Sequence, residues 1–211
     1  MERPLEMWSR QELARRRAVL LQSSHLSFAF SVSEVVLMGR IPHNHGAEST
    51  RDYHIAEQAL AYVGLSAFAD RLYHTLSGGE QQRVHLARVL AQIWEPPADG
   101  ERYLLLDEPT SSLDLLYQQQ VLSVARQFAR ARTAVLIILH DLNLAAQYAD
   151  RILMLKAGQA RYTGTPQQVL TTHHIQEVYD TPVAVIRHPH SNTPLITPLP
   201  LETAVAGGLN L

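Results

Sequence analysis

From Tyr103 to Leu155 the chain alternates strand-like and helix-like segments, and that alternation restricts the fold more than any other feature. Two of the strand-like runs, Tyr103–Leu106 and Ala134–Leu139, are apolar throughout. A strand without polar alternation is expected to be buried on both faces, which predicts a mainly parallel sheet with helices on both sides. Between these runs Val121, Leu122, Ala125, Phe128 and Ala129 recur at helical spacing, and Leu142, Ala145, Ala146 and Ala149 do so after the second. Arg151–Leu155 and Ala160–Tyr162 then flank Ala157-Gly158-Gln159 as a hairpin. Thr165-Pro166 opens a last helix, with Thr as N-cap and Pro in the first turn.

The first half reads differently. Arg17–Leu21 is a short strand ending at Gln22, but Ser23 to Leu76 is helical in pattern, as a subdomain would be. Ser31-x-x-Glu34 has capping-box spacing, so a helix runs from Val32 or Ser33 to Met38, with Gly39 as its C-cap and Pro42 beyond. Ala56, Ala59, Leu60 and Val63 share a helical face closed by Gly64. A further helix starts near Ser77 and carries Val84, Ala87, Leu90, Ala91 and Trp94, and the polar segment Glu95–Glu101 with its two prolines is a loop.

Composition narrows the function classes. The 211 residues are 46% hydrophobic and 18% charged, with mean hydropathy −0.10, an ordinary soluble globular profile of about one domain. A net charge of −2 argues against nucleic acid as a partner, since phosphate contacts need a basic face. The densest basic run, Ala14-Arg15-Arg16-Arg17, reads as a solvated helix face. Without cysteine there is no disulfide, Cys-ligated zinc or thiol nucleophile. Met1-Glu2-Arg3-Pro4 lacks the apolar stretch of a signal peptide, and the apolar runs fall far short of the roughly 20 residues that span a bilayer. Work at a membrane would therefore mean docking on another protein.

Two short segments carry chemistry. Asp107-Glu108 ends an apolar strand, at the sheet edge where open α/β folds bind ligands. In phosphoryl-transfer sites one such acid holds Mg²⁺ while its neighbour polarises an attacking water; alternatively the pair is an acidic strand end before a turn at Pro109. Upstream, Ser77-Gly78-Gly79-Glu80 starts a helix with two residues that bear no side chain, leaving backbone N–H groups open to an anion. Ser77 and Glu80 also satisfy a capping box, and both readings can hold together.

Ser77-Gly78-Gly79-Glu80-Gln81, followed by the strand and Asp107-Glu108-Pro109-Thr110, resembles the signature motif and Walker B of the ABC ATPases. Ser111-Ser112-Leu113-Asp114 is similar to the D-loop, His140 to the switch histidine, and Gln22 to the Q-loop glutamine, all in family order. The resemblance implies an α/β P-loop NTPase core with a mainly parallel sheet plus a helical subdomain. It implies one domain over 1–211, with the helical subdomain at about 23–90, a Walker B to switch-histidine core at about 91–170, and an extension at 171–211. It also implies ATP and Mg²⁺ as cofactors. Asp107 and Gln22 would serve the metal, Glu108 would act as general base and His140 would contact the γ-phosphate. Ser77, Gly78, Gly79 and Glu80 would meet ATP held by the opposite subunit of a head-to-tail dimer, with Asp114 at the seam.

The segment Phe30–Arg40 is similar to importers for haem, iron–siderophore and cobalamin, and three further stretches resemble the haemin branch: Glu12–Leu20, Ile93–Tyr103, and the tail around Arg187-His188-Pro189. The implied partners are a transmembrane permease dimer, a second ATP-binding subunit and, indirectly, a periplasmic haemin-binding protein, at the cytoplasmic face of the inner membrane. A non-hydrolytic fragment that binds a transporter is the alternative from another class. Soluble relatives of DNA repair need long coiled coils between Gln22 and Ser77, and the segment there is too short and lacks heptads. The histidine pairs His43-x-His45, His173-His174 and His188-x-His190 fall in polar or turn-like segments and are not expected to ligate metal.

One expected station is missing. No Gly-x-x-x-x-Gly-Lys-Ser/Thr precedes Gln22; the only lysine is Lys156 and the first glycine is Gly39. Without that loop the chain has no backbone cradle for phosphates and no lysine upon them. The resemblance places Met1 inside a longer ancestral chain. It predicts that a missing strand beside Tyr103–Leu106 leaves the edges of that strand and of Ala134–Leu139 unpaired, with poor solubility as the result.

Overall fold

The computed structural model describes residues 4–21, 29–44, 46–97, 100–111 and 113–201, and divides into two compact units, Met1–Leu139 and His140–Leu211. Helix α1 (Arg10–Arg16) opens the first unit on a capping box between Ser9 and Glu12 and runs into strand β1 (Arg17–Leu20). Its arginines are not simply solvated: Arg15 Nε donates to the Pro42 carbonyl at 2.8 Å, and Arg16 lies over the Trp8 ring.

Helices α2 (Val32–Leu37), α3 (Thr50–Tyr62) and α4 (Gly78–Gln92) follow, each begun by a serine that accepts from the backbone N–H three residues on. Gly64 closes α3 as read from the sequence: its N–H bonds Ala61 and that of Leu65 bonds Leu60, which satisfies the last carbonyls of the helix. Gly39 does not act as a C-cap. The chain tightens into a 3₁₀ turn over Met38–His43, with Pro42 inside it, and Gly39 lets that turn approach α4, since a Cβ there would lie 2.2 Å from the Arg88 carbonyl oxygen. Beneath it, Arg40 is buried and donates to Asp52, Glu95 and the Ala91 carbonyl. Trp94 lies just past the end of α4 and joins Tyr62 and Phe128 in an edge-to-face cluster.

Strand β2 (Arg102–Asp107), helix α5 (Leu115–Arg130) and strand β3 (Thr133–Ile138) complete the unit. The three strands form a parallel sheet in the order β1-β2-β3. Arg102 ties its amino end to both helices, donating to Ile93 and Trp94 after α4 and to Ala131 after α5.

Two expectations are corrected here. β2 pairs along both edges, so Tyr103–Leu106 has no open edge; among the described residues the free edges are the outer ones of β1 and β3. Nor is the sheet covered on both faces. Ala18, Leu20, Leu104 and Leu106 are sealed beneath the helices, whereas Val19, Tyr103, Leu136 and Ile138 on the other face are 36, 45, 63 and 51% exposed. Continuous apolar strands normally signal cover on both sides; among the described residues of this unit one side lacks it.

In the second unit helix α6 (Leu142–Tyr148) is followed by the expected hairpin, strands β4 (Ile152–Lys156) and β5 (Gln159–Gly164), turned through Ala157 and Gly158 at positive φ. The helix expected at Thr165-Pro166 is only the short α7 (Pro166–Val169), and a separate α8 (Thr172–Tyr179) comes after it. Strands β6 (Val183–Arg187) and β7 (Pro194–Pro198), which the sequence reading did not separate, pair antiparallel. Asn143 of α6 bonds both N–H and C=O of Ile196, fastening that hairpin to the helix.

Candidate functional site

Asp107 is the last residue of β2, and Glu108 turns the chain out of the sheet with a φ of 48°. Both carboxylates thus stand at the carboxyl end of the central strand. The turn is held tightly. The Glu108 carbonyl accepts from the Ser111 hydroxyl at 2.9 Å and the Ser111 N–H at 3.2 Å. The Gln82 side-chain amide donates to the Pro109 carbonyl at 3.0 Å and to that of Glu108 at 3.5 Å.

The amino end of α4 is the second component. Ser77 caps it: its N–H and hydroxyl donate to the Glu80 carboxylate at 2.8 and 2.7 Å, and the Glu80 N–H returns to Ser77 Oγ. The hydroxyl and backbone bonds from Ser77 hold the Glu80 carboxyl below its ordinary range. Gly78 is exposed and a Cβ there would meet nothing within 4 Å, so the helix start presents bare backbone to solvent. Gly79 instead faces the loop after β2, where a Cβ would come within 3.3 Å of Leu113 Cδ2. Asp114 caps α5 through the Tyr117 N–H, and Arg83 lies 3.9 Å over the Tyr117 ring.

The first unit thus brings Ser77, Gly78, Gly79 and Glu80 onto one helix end that is bonded to the Glu108 turn and packed on the residue before Asp114. Asp107, an all-oxygen donor at a strand end, suits a hard cation such as Mg²⁺. His140 follows β3 in sequence and begins the second unit, where Asp141 caps α6. Gln22 lies outside the described residues, as does His45. Of the other histidines singled out, His43 bonds the Gln92 carbonyl, His174 stacks on Tyr162, and His188 accepts from the N–H groups of His190 and Ser191. The residue that sequence reasoning missed is Gln82. Its signal was present, as a polar side chain on the helix face opposite Val84 and Ala87, but only the tertiary contact gives it a partner.

The family described as ABC transporter matches residues 1–111. The chain belongs to the ABC transporter family. Its relatives include the haemin import ATP-binding protein HmuV of Gloeobacter violaceus, 54% identical over 97% of this chain and 74% of that protein. The HmuV of Pseudomonas aeruginosa PAO1 is 51% identical over 92% of this chain and 75% of that one. Among solved structures, a chain described as of metal-chelate type, from an ABC transporter in an inward-facing conformation, superposes with a TM-score of 0.75 at 31% identity, covering 87% of this chain and 73% of its own. The dimeric ATP-binding cassette MJ0796 bound to ADP and Pi superposes at 0.63 with 26% identity, covering 75 and 68%. An ABC ATPase fold and an ATP-binding role in an importer follow for this chain. Among the described residues no helix is long and apolar enough to cross a membrane.

Proposed function

We propose that the chain is the energy-coupling ATP-binding subunit of an ABC importer for haemin, acting at the cytoplasmic face of the inner membrane. One observation carries the reading: the capped, glycine-bare end of α4 is bonded through Gln82 to the turn that bears Glu108. The haemin cargo is supported by the HmuV relatives and the three haemin-like stretches of sequence. A metal-chelate cargo is the second reading, favoured by the likeness to the metal-chelate type transporter.

In this reading residues 1–211 act as one ATP-binding domain, with the helical subdomain at about 23–90, the core at about 91–170 and an extension at 171–211. Asp107 and Gln22 serve Mg²⁺, whose chemistry is to neutralise phosphate charge. Glu108 is the general base for water and His140 contacts the γ-phosphate. Ser77, Gly78, Gly79 and Glu80 face the ATP of the opposite subunit, and Asp114 lies at the dimer seam. A permease dimer receives the work, and a periplasmic haemin-binding protein delivers the cargo. Residues 1–211 supply no phosphate loop, so the purified chain is expected to be inactive alone, which also accommodates a non-hydrolytic, transporter-binding role.

The test is ATP turnover by the purified chain, then by the chain assembled with the permease and a full-length haemin import ATP-binding subunit, with haemin as cargo. Turnover absent alone and stimulated by haemin in the assembly supports the proposal. Ordinary turnover by the chain alone, or an assembly stimulated by an iron–siderophore and not by haemin, overturns the corresponding part.

A further inference from the structure

Glu108 is not glycine yet holds a left-handed backbone, a conformation that persists only where the surroundings over-determine it. The surroundings are identifiable. Ser111 grips the Glu108 carbonyl from within the turn through its hydroxyl and its N–H. Gln82 grips the turn from outside, bridging the carbonyls of Glu108 and Pro109 from the second turn of α4. The same end of α4 meets the rest of the loop, with Gly79 against Leu113 and Arg83 on Tyr117.

We infer that Gln82 is a positioning residue for Glu108: its amide fixes the direction in which the carboxylate leaves the backbone and makes the Ser77–Gly79 helix end and the Glu108 turn move as one body. The catalytic consequence rests on the reading of Glu108 as general base; the mechanical link does not. An anion drawn onto Ser77–Gly79 acts on a helix whose next turn holds the base, so occupancy at one end changes the aim of the carboxylate at the other. Gln82 does this through a side chain, whereas the capping box beside it only closes the helix.

Hydrogen exchange on the full chain reads the link directly, because the Ser111 N–H bonds the carbonyl that Gln82 also holds. Replacing Gln82→Leu keeps most of the stem's bulk and removes both donors. It is expected to speed exchange at Ser111 and Leu113 by about threefold to tenfold, the range of one lost neutral hydrogen bond. Amides of α4 from Val84 to Leu90 should stay at wild-type rates. Gln82→Lys, which retains donors on a flexible stem, is expected to restore protection. Unchanged exchange at Ser111 in Gln82→Leu overturns the inference. So does a rise shared by the whole of α4, which would make Gln82 an ordinary packing residue. The role of Glu108 is read separately: Glu108→Gln with unaltered turnover in the assembled transporter would sink the base and leave the exchange result standing.

Discussion

In the helical half of the first unit α2, α3 and α4 enclose one another, while in its other half the described residues cover β1, β2 and β3 from one side only. Both halves are built from apolar residues. Leu60, Leu86 and Leu90 are almost fully buried, whereas Leu136 on the sheet is more exposed than covered. The difference lies in closure. The helices are begun by local serine caps and locked to one another by two contacts between distant segments, the Gly39 approach to α4 and the Arg40 network. The sheet has spent its pairing inward, on β2, and still presents an apolar face and an outer β3 edge.

The sharpest way to break the comparison is to open the closed half. Arg40→Ala removes the buried cation shared by Asp52, Glu95 and the Ala91 carbonyl and leaves the buried Asp52 carboxylate with its bonds from Ser49 but without the Arg40 charge. Breaking a buried pair in this way costs about 3–5 kcal/mol, to be read by urea unfolding followed through Trp94. The same site predicts an acid step. Burial pushes the Asp52 carboxyl up, but bonds from Ser49 and Arg40 outweigh that and hold it at about 2 against an ordinary 3.8. A depressed carboxylate stabilises the fold above its unfolded pKa and ceases to as pH falls, so about 2 kcal/mol should vanish between roughly pH 4 and pH 2. In Arg40→Ala that step should shrink.

Gly39→Val follows in size. Its side chain would drive into the Arg88 carbonyl, a backbone group that cannot yield without moving α4. Overpacking of this kind costs about 3 kcal/mol, and a shift of the urea midpoint measures it. A wild-type midpoint would show that the 3₁₀ turn is freer to slide than its packing implies.

What the sequence disclosed divides along the same line. Capping boxes at Ser31 and Ser77, the Gly64 stop and the Asp107-Glu108 strand end were legible because each depends on neighbours a few residues away. Strand order was not, because the pairing that closes the second edge of β2 is supplied by β1, which lies far off in the chain. Nor was the one-sided cover, since a run such as Tyr103–Leu106 records what a strand can bury and not what stands over it. The β6–β7 hairpin was missed because Pro194 and Pro198 at the ends of one strand mask its pattern. At the site, residue types were readable and their connections were not: nothing in Gln82 announces that its partner is the Glu108 turn.

Ser77→Ala probes the seam between the two halves and should have a smaller effect. It deletes the cap that receives the Glu80 N–H and frees the carboxylate bound to Ser77. About 1 kcal/mol is the usual cost of such a cap. The Glu80 carboxyl should also titrate closer to its ordinary range, as carboxylate NMR would report. Loss of stability without that titration shift would mean the Glu80 bond is made by the backbone alone.

The smallest expected change in stability tests the sheet, and it is the most telling about the comparison. Leu136→Lys places a charge on the uncovered face of β3, where no described helix lies over it. A surface substitution of this kind moves stability within about 0.5 kcal/mol, yet it should raise the soluble, monodisperse fraction, because a charge on an open strand opposes edge-to-edge and face-to-face association. Leu104→Lys, one residue column away on the covered face, should unfold the unit, since it buries an unpaired charge. Light scattering and urea melts of the pair separate the two faces. If Leu136→Lys proves as damaging as Leu104→Lys, the face is covered in solution, and the two halves of the unit are equally closed.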